Sequence, residues 1–419
     1  MLSRRGLFGA LALTCVTVNA GAQSPVVELP KPTGPFAVGT TSWIITDETR
    51  PESFDPASGK RRIPVIAWYP AAVGAKGGPA PYMRQGMEEV RAFATLIRKP
   101  GAFDDLADVK THGILDAPIA TLQTRLPVLV FSHGYTGIPS SYTGLLEDLA
   151  SHGFIVLSVI HPYEATAASL GSGPPVTFLD GSGALRADVA AVTSEWEGED
   201  EVLRGVMGLA SEKEQLDRLR GYITGLKATQ TVLRRWVDDT KAVLDRWPTT
   251  PKDSLANQIF SRADLTRLGA FGHSMGGVVA GEFCLLDARC KAGLNLDGSP
   301  QSGGMIDRKL KRPFLMVYSG RENRLGATDL IYYKSAAPYF RVDVRGTGHL
   351  SFSDMPFWPG GGLSERGAYG TIAPTRSTLI TRTIVREYFG LILLRQFSPL
   401  LTEEVLMPDV VVHPAERVR

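Results

Sequence analysis

The hexapeptide Gly272-His273-Ser274-Met275-Gly276-Gly277 constrains this chain more than any other stretch. It stands between a short apolar run, Leu268-Gly269-Ala270-Phe271, and a helix-forming run from Val278 to Leu286. A serine on so tight a strand-to-helix turn adopts strained dihedrals, and bulky neighbours would clash, which is why glycines flank it. The turn also holds the hydroxyl at a helix N-terminus, where developing negative charge is favoured. Ser274 is therefore the candidate nucleophile. The plainer alternative is a glycine-rich turn with a capping serine.

The surrounding pattern gives that turn a sheet to sit on. Val38–Asp47 and Arg62–Tyr69 are rich in Val, Ile, Thr and Trp between turn signals, and read as two antiparallel opening strands. Leu126–Ser132 is a continuous apolar run, the pattern of a strand buried on both faces. A helix from Ser141 to His152 and a second buried strand, Phe154–Ile160, complete a βαβ unit. Val232, Leu233, Trp236, Val237, Val243, Leu244 and Trp247 share one helical face and read as core. Further strands are expected near Leu268–Phe271, Ala292–Leu296, Pro313–Tyr318 and Phe340–Val344, and a terminal helix through Ile380, Ile384, Tyr388 and Leu391. The stretch from Leu170 to Gly208 mixes Gly, Pro and acidic residues without a core pattern and reads as an insertion or cap. The expectation is an α/β chain with a mostly parallel central sheet flanked by helices, one domain over 23–419 with an insertion at about 170–208.

A serine nucleophile needs a base and an acid. In α/β-hydrolases, which this layout resembles, the chain order is serine, acid, histidine. The sequence has seven histidines. Only His349 and His413 follow Ser274, and only His349 stands on a turn after a strand, whereas His413 falls in a polar tail. His349 is the expected base. Two acids stand at strand ends between them: Asp297, in Asn295-Leu296-Asp297-Gly298, and Glu322, flanked by Arg321 and Arg324. Asp297 is favoured because it sits directly at a strand end before glycine, and Glu322 stays open as a loop ion pair or the acid itself. Ser132-His133-Gly134-Tyr135 follows a buried strand, so the amides of Tyr135 and Met275 are the expected oxyanion donors. A simple turn at His133-Gly134 is the alternative.

Hydrophobic residues make up 43% and charged residues 21% of the 419, an ordinary globular balance. No GxGxxG, Walker loop or HExxH is present, and no cofactor or metal is expected. Residues 1–22 read as an export signal: Arg4 and Arg5, an apolar Gly6–Val18, then Ala20-Gly21-Ala22 as a small-x-small cleavage site. Ser3-Arg4-Arg5-Gly6-Leu7-Phe8 also fits a twin-arginine signal, and the general and twin-arginine routes both stay open. Thr14 before Cys15 is a poor lipobox residue. Export places the protein in the periplasm or outside the cell. Against 45 Lys+Arg stand 43 Asp+Glu, so loss of the leader's two arginines leaves a neutral chain. Nucleic acid is thus an unexpected partner, and the charge gives no pull towards anionic membranes. Cys284 and Cys290 remain, and their pairing is left open.

The segment VLVFSHGYTGIPSSYTGLLEDLASHGFIVLSVIHP, followed by FGHSMGG, LNLDGSP and GTGHLSFSD, resembles the plasma and intracellular type II platelet-activating factor acetylhydrolases. The opening PTGPFAVGTTSW and VIAWYPA are similar to that family and its bacterial relatives, and the resemblance covers most of Pro32–Phe397. It implies an α/β-hydrolase fold, Ser274, Asp297 and His349 as a triad, Tyr135 and Met275 in the oxyanion hole, and calcium-independent hydrolysis of short or oxidised acyl esters. Two departures, Gly298-Ser299-Pro300 and His161-Pro162-Tyr163, are expected to border the acyl pocket and to decide whether a phospholipid is the substrate. A carboxylesterase resembling dienelactone or polyester hydrolases shares the same parts, and a hydrolase-fold binding protein without catalysis is the non-enzymatic reading. The expected partner is a small-molecule or lipid ester. Transient contact with a membrane surface, through Val176, Phe178 and Leu179, is left open, as is the oligomeric state.

Overall fold

The computed structural model describes residues 27–320, 326–332, 337–359, 362–364, 367–402 and 407–416. The leader reading for Met1–Ala22 and the alternative acid Glu322 lie outside these residues. The strands are β1 (Val38–Pro51), β2 (Lys60–Pro70), β3 (Ile114–Leu115), β4 (Leu126–Ser132), β5 (Ile155–Val159), β6 (Ala167–Ala168), β7 (Val176–Thr177), β8 (Ala263–His273), β9 (Cys290–Leu296), β10 (Phe314–Tyr318), β11 (Tyr339–Val344) and β12 (Val410–Glu416). All but β6 and β7 form one sheet in the order β12-β11-β10-β9-β8-β4-β5-β2-β1-β3. The six strands from β11 to β5 run parallel, β12 pairs antiparallel to β11, β2 pairs antiparallel to both β5 and β1, and the short β3 runs parallel to β1.

The apolar run of β4 explains why that strand lies at the centre. Its seven residues are all buried. Alternate side chains feed opposite layers, as a period of two requires. Val128 and Val130 join a core with Trp236, Val243 and Phe283, which come from the helices Lys227–Arg246 and Met275–Leu286. Leu129 and Phe131 join a second core with Leu146, Ile384 and Tyr388, from the helices Thr143–Ser151 and Pro374–Leu394. A third, smaller core around Tyr82, Phe103, Met355 and Trp358 covers the same end of the sheet as His349.

Three sequence expectations need correcting. The stretch at 170–208 carries β7, which pairs with β6 just before it, and the helices Ala187–Glu195 and Glu199–Met207. Val189, Val192, Leu203 and Val206 are buried there, so the segment has a core pattern. Its short helices carry too few apolar positions each for periodicity to stand out. Phe178 is 0% and Leu179 is 9% exposed, so they are packed core residues and offer nothing to a membrane. Truncating a buried phenylalanine costs about 3–5 kcal/mol. Finally, His413 lies on β12 and not in a polar tail, and its Nε2 is 2.9 Å from Asp343 Oδ2 on β11.

Cys284, near the end of the helix Met275–Leu286, is disulfide-bonded to Cys290 at the start of β9. The bond ties the element after Ser274 to the strand that leads into Asp297.

Candidate active site

The parallel strands deliver every candidate residue to their carboxyl ends, where open α/β sheets hold their ligands. Ser274 follows β8, Asp297 follows β9, His349 comes five residues after β11, and His133-Gly134-Tyr135 follows β4. Register places the first two side by side: His273 pairs with Leu296, and the Ser274 amide donates to the Leu296 carbonyl at 2.8 Å. Ser274 has φ 56 and ψ −125 and Asp297 has φ 58, conformations that side chains rarely adopt. Two strained residues on adjoining strand ends mark a site held open by its surroundings. The glycines of the motif serve close packing. A Cβ at Gly276 would overlap the Ser132 carbonyl, and one at Gly272 would strike Gly276. The start of the helix Met275–Leu286 thereby lies directly on the end of β4.

The imidazole of His349 is 2.7 Å through Nδ1 from Asp297 Oδ2. Asp297 is 3% exposed, and its other oxygen accepts from the Ser319 amide at 2.9 Å. The carboxylate is thus oriented by a backbone donor on one side and holds the ring on the other. With Nδ1 committed to Asp297, proton transfer by His349 must use Nε2. Met275 is the first residue of its helix, so its amide has no acceptor within that helix. Tyr135 is buried, with its ring 5.4 Å from Trp196 and 5.9 Å from Trp236. Among the described residues, no group of three or more His, Cys, Asp or Glu side chains is placed to hold a metal ion.

His273, the variable position inside the serine motif, has a role that its sequence context hid. Its Nδ1 is 2.9 Å from the Tyr142 hydroxyl, and its Nε2 is 2.8 Å from the His349 carbonyl oxygen. A carbonyl only accepts, so Nε2 carries the proton and the Tyr142 hydroxyl donates to Nδ1. Tyr142 in turn accepts from the Gly134 amide at 3.3 Å. One chain of hydrogen bonds therefore runs from the loop after β4 to the backbone of the proposed base. Only the residue type at an x position could have signalled this. His161 corrects a further expectation. It is fully buried with Nδ1 2.9 Å from Asp239 Oδ2 and its ring stacked on Trp236, so it does not border an acyl pocket.

Asp354, five residues after His349, fastens the loop bearing His349 to the helix Thr143–Ser151. Its Oδ2 accepts from the Gly144 amide at 3.1 Å and from the Tyr82 hydroxyl at 3.2 Å. Burial pushes this carboxyl up to about 7, against the pull of the Gly144 amide and Arg382. Between its ordinary value and about 7 the folded state binds more protons here than the unfolded chain, so this group's contribution falls as pH rises through that window. The buried His133 and His161, shifted down, act in the opposite sense below their ordinary value. A variant isolates the carboxyl: Asp354→Asn gains thermal stability relative to the parent as pH rises from 4.5 to 7.5, on the order of a few kcal/mol. Melting curves at paired pH values check this, and a difference that stays flat refutes it.

A serine strained on a strand-to-helix elbow, with a histidine and aspartate at the ends of later parallel strands, defines an α/β-hydrolase. Residues 21–172 match the family model of platelet-activating factor acetylhydrolase, isoform II. The guinea pig (Cavia porcellus) platelet-activating factor acetylhydrolase is 24% identical over 338 residues, covering 79% of this chain and 70% of that protein. For the chicken (Gallus gallus) protein of the same name the figures are 23% over 242 residues, 56% and 54%. The dog (Canis lupus familiaris) protein is 25% identical over 263 residues, 60% and 53%. The chain thus spans little more than half of these last two. A solved ferulic acid esterase from Streptomyces cinnamoneus superposes with a TM-score of 0.67 at 24% identity, over 92% of this chain and 99% of that one, and shows the fold. The chain is thus similar to the platelet-activating factor acetylhydrolases, and these likenesses support an ester hydrolase. The family match ends well before Ser274, so the site assignment rests on geometry.

Proposed function

We propose that the protein is an exported serine carboxylic ester hydrolase that cleaves short-chain acyl esters, similar in chemistry to the platelet-activating factor acetylhydrolases. The carrying observation is the 2.7 Å contact between His349 and a buried Asp297, set beside a serine with φ 56. Ser274 attacks the ester carbonyl while His349 Nε2 takes its proton, and Asp297 steadies the imidazolium that forms. The amides of Tyr135 and Met275 receive the negative charge of the tetrahedral intermediate. His349 then returns the proton to the departing alcohol, leaving an acyl-serine. Water, deprotonated by the same imidazole, releases the acid. The Cys284–Cys290 disulfide supports the export reading, because such bonds persist in oxidising compartments.

Chain-length profiling tests the substrate class. p-Nitrophenyl acetate and butyrate turn over fastest, with activity falling steeply on longer chains, followed by activity on acetylated and oxidised phospholipids. A maximum at C12 or longer overturns the short-chain assignment. Activity on soluble aryl esters with none on any phospholipid moves the enzyme to the carboxylesterases outside lipid chemistry.

A further inference from the structure

Behind the loop that follows β4 lies a second set of polar side chains that the chemistry above does not use. His133 is 0% exposed. Its Nδ1 is 2.7 Å from the carbonyl oxygen of Gly134, and its Nε2 is 3.2 Å from the backbone N–H of His161. A carbonyl only accepts and an amide only donates, so the ring is neutral with its proton on Nδ1. Burial, with His161 beside it, pulls its pKa down to about 3, so the ring stays neutral across the working range.

The carbonyl it touches belongs to the peptide group whose N–H is that of Tyr135. A peptide unit is planar and trans, so fixing the direction of its C=O fixes the opposite direction of its N–H. A donor on the carbonyl also polarises the group and strengthens the N–H as a donor. The Gly137 amide donates to the same oxygen at 2.9 Å. His161 is itself immobilised. Its Nδ1–H donates to Asp239 Oδ2 at 2.9 Å, and its ring lies 3.9 Å from that of Trp236 at 10°. Asp239 is held by Arg61 and Arg50, each at 2.7 Å.

We propose that His133 is a positioning residue for the oxyanion hole, fixing and polarising the Gly134–Tyr135 peptide, and that His161, held by Asp239 and Arg61, fixes His133. This rests on the ester-hydrolase reading above. A histidine that merely filled space here could become leucine without loss of turnover at each intact site.

The test uses His133→Leu, His133→Asn and His133→Gln in the full chain, with active sites titrated to completion by a fluorophosphonate. Asparagine places an N–H where Nδ1–H stands, whereas glutamine supplies only the acceptor for His161. His133→Leu lowers kcat per titrated site by about 10²-fold with p-nitrophenyl acetate, with KM changed less than about threefold. His133→Asn recovers at least about tenfold of that loss and His133→Gln does not. Affinity for a trifluoromethyl ketone, which mimics the tetrahedral intermediate, falls in step with kcat/KM across the series. Unchanged turnover per site in His133→Leu, with only the number of titratable sites reduced, overturns the proposal. If the leucine variant does not fold, equal rates for the asparagine and glutamine variants overturn it. Ser274→Ala separates the two ideas. Retained activity there overturns the Ser274-nucleophile reading and this inference with it, whereas loss there with normal turnover in His133→Leu overturns this inference alone.

Discussion

Replacing Ser274 with alanine leaves a folded protein whose turnover of p-nitrophenyl acetate falls on the order of 10⁶-fold. The size follows from what is removed. Without the hydroxyl no acyl-enzyme forms, and only the contributions of the oxyanion donors and of binding remain. Folding is expected to survive because the backbone at this turn is held by its neighbours. The Ser274 amide still reaches the Leu296 carbonyl, and the Gly276 and Gly277 contacts do not involve the hydroxyl. Alanine carries the same Cβ and so neither relieves nor adds strain at φ 56. Initial rates with active-site titration, alongside a melting curve, check both halves. A variant that keeps a tenth of the parent activity would remove Ser274 from the mechanism.

Asp297→Asn should cost on the order of 10⁴-fold, and the hydrogen bonds explain why an isosteric change is so severe. Both carboxylate oxygens accept: Oδ1 from the Ser319 amide and Oδ2 from His349 Nδ1. An asparagine has only one accepting oxygen. The Ser319 amide cannot reverse its role, so the new NH2 turns towards His349. The imidazole then accommodates it by moving its proton to Nε2, the nitrogen that must receive the serine proton. The ring stays in place with the wrong tautomer. Glu322→Gln, the competing assignment, should change kcat by less than about threefold. Steady-state kinetics on both variants decide, and a large loss for Glu322→Gln with a small one for Asp297→Asn would move the acid to the later strand.

Much of this was legible in the sequence because the signals were local and steric. The seven-residue apolar run of β4 reads as a central strand, and it is buried throughout. The glycines around Ser274 announce a turn that tolerates no Cβ, and overlap at Gly272 and Gly276 is the physical content of that signal. Asp297 and His349 followed from strand ends and chain order. What stayed hidden depends on contacts across long separations. The roles of His273 and Tyr142 appear only once residues 131 positions apart meet. His161 looked like a pocket residue because its neighbours in sequence said nothing of Asp239, 78 positions on. Phe178 and Leu179 stood among glycines and prolines, and the loop composition concealed that both point inward.

The hydrogen-bonded path from the Gly134 amide through Tyr142 and His273 to the His349 carbonyl bears on how this scaffold can be redesigned. Residues that share partners do not contribute independently, so the effects of changing Tyr142 and His273 together will differ from the sum of each alone. An exchange of loops with a relative, made one position at a time, would pass through intermediates worse than either parent. The loop after β4, the variable residue of the serine motif and the turn bearing His349 form one transplantable unit, although they are dispersed over more than two hundred positions of the chain.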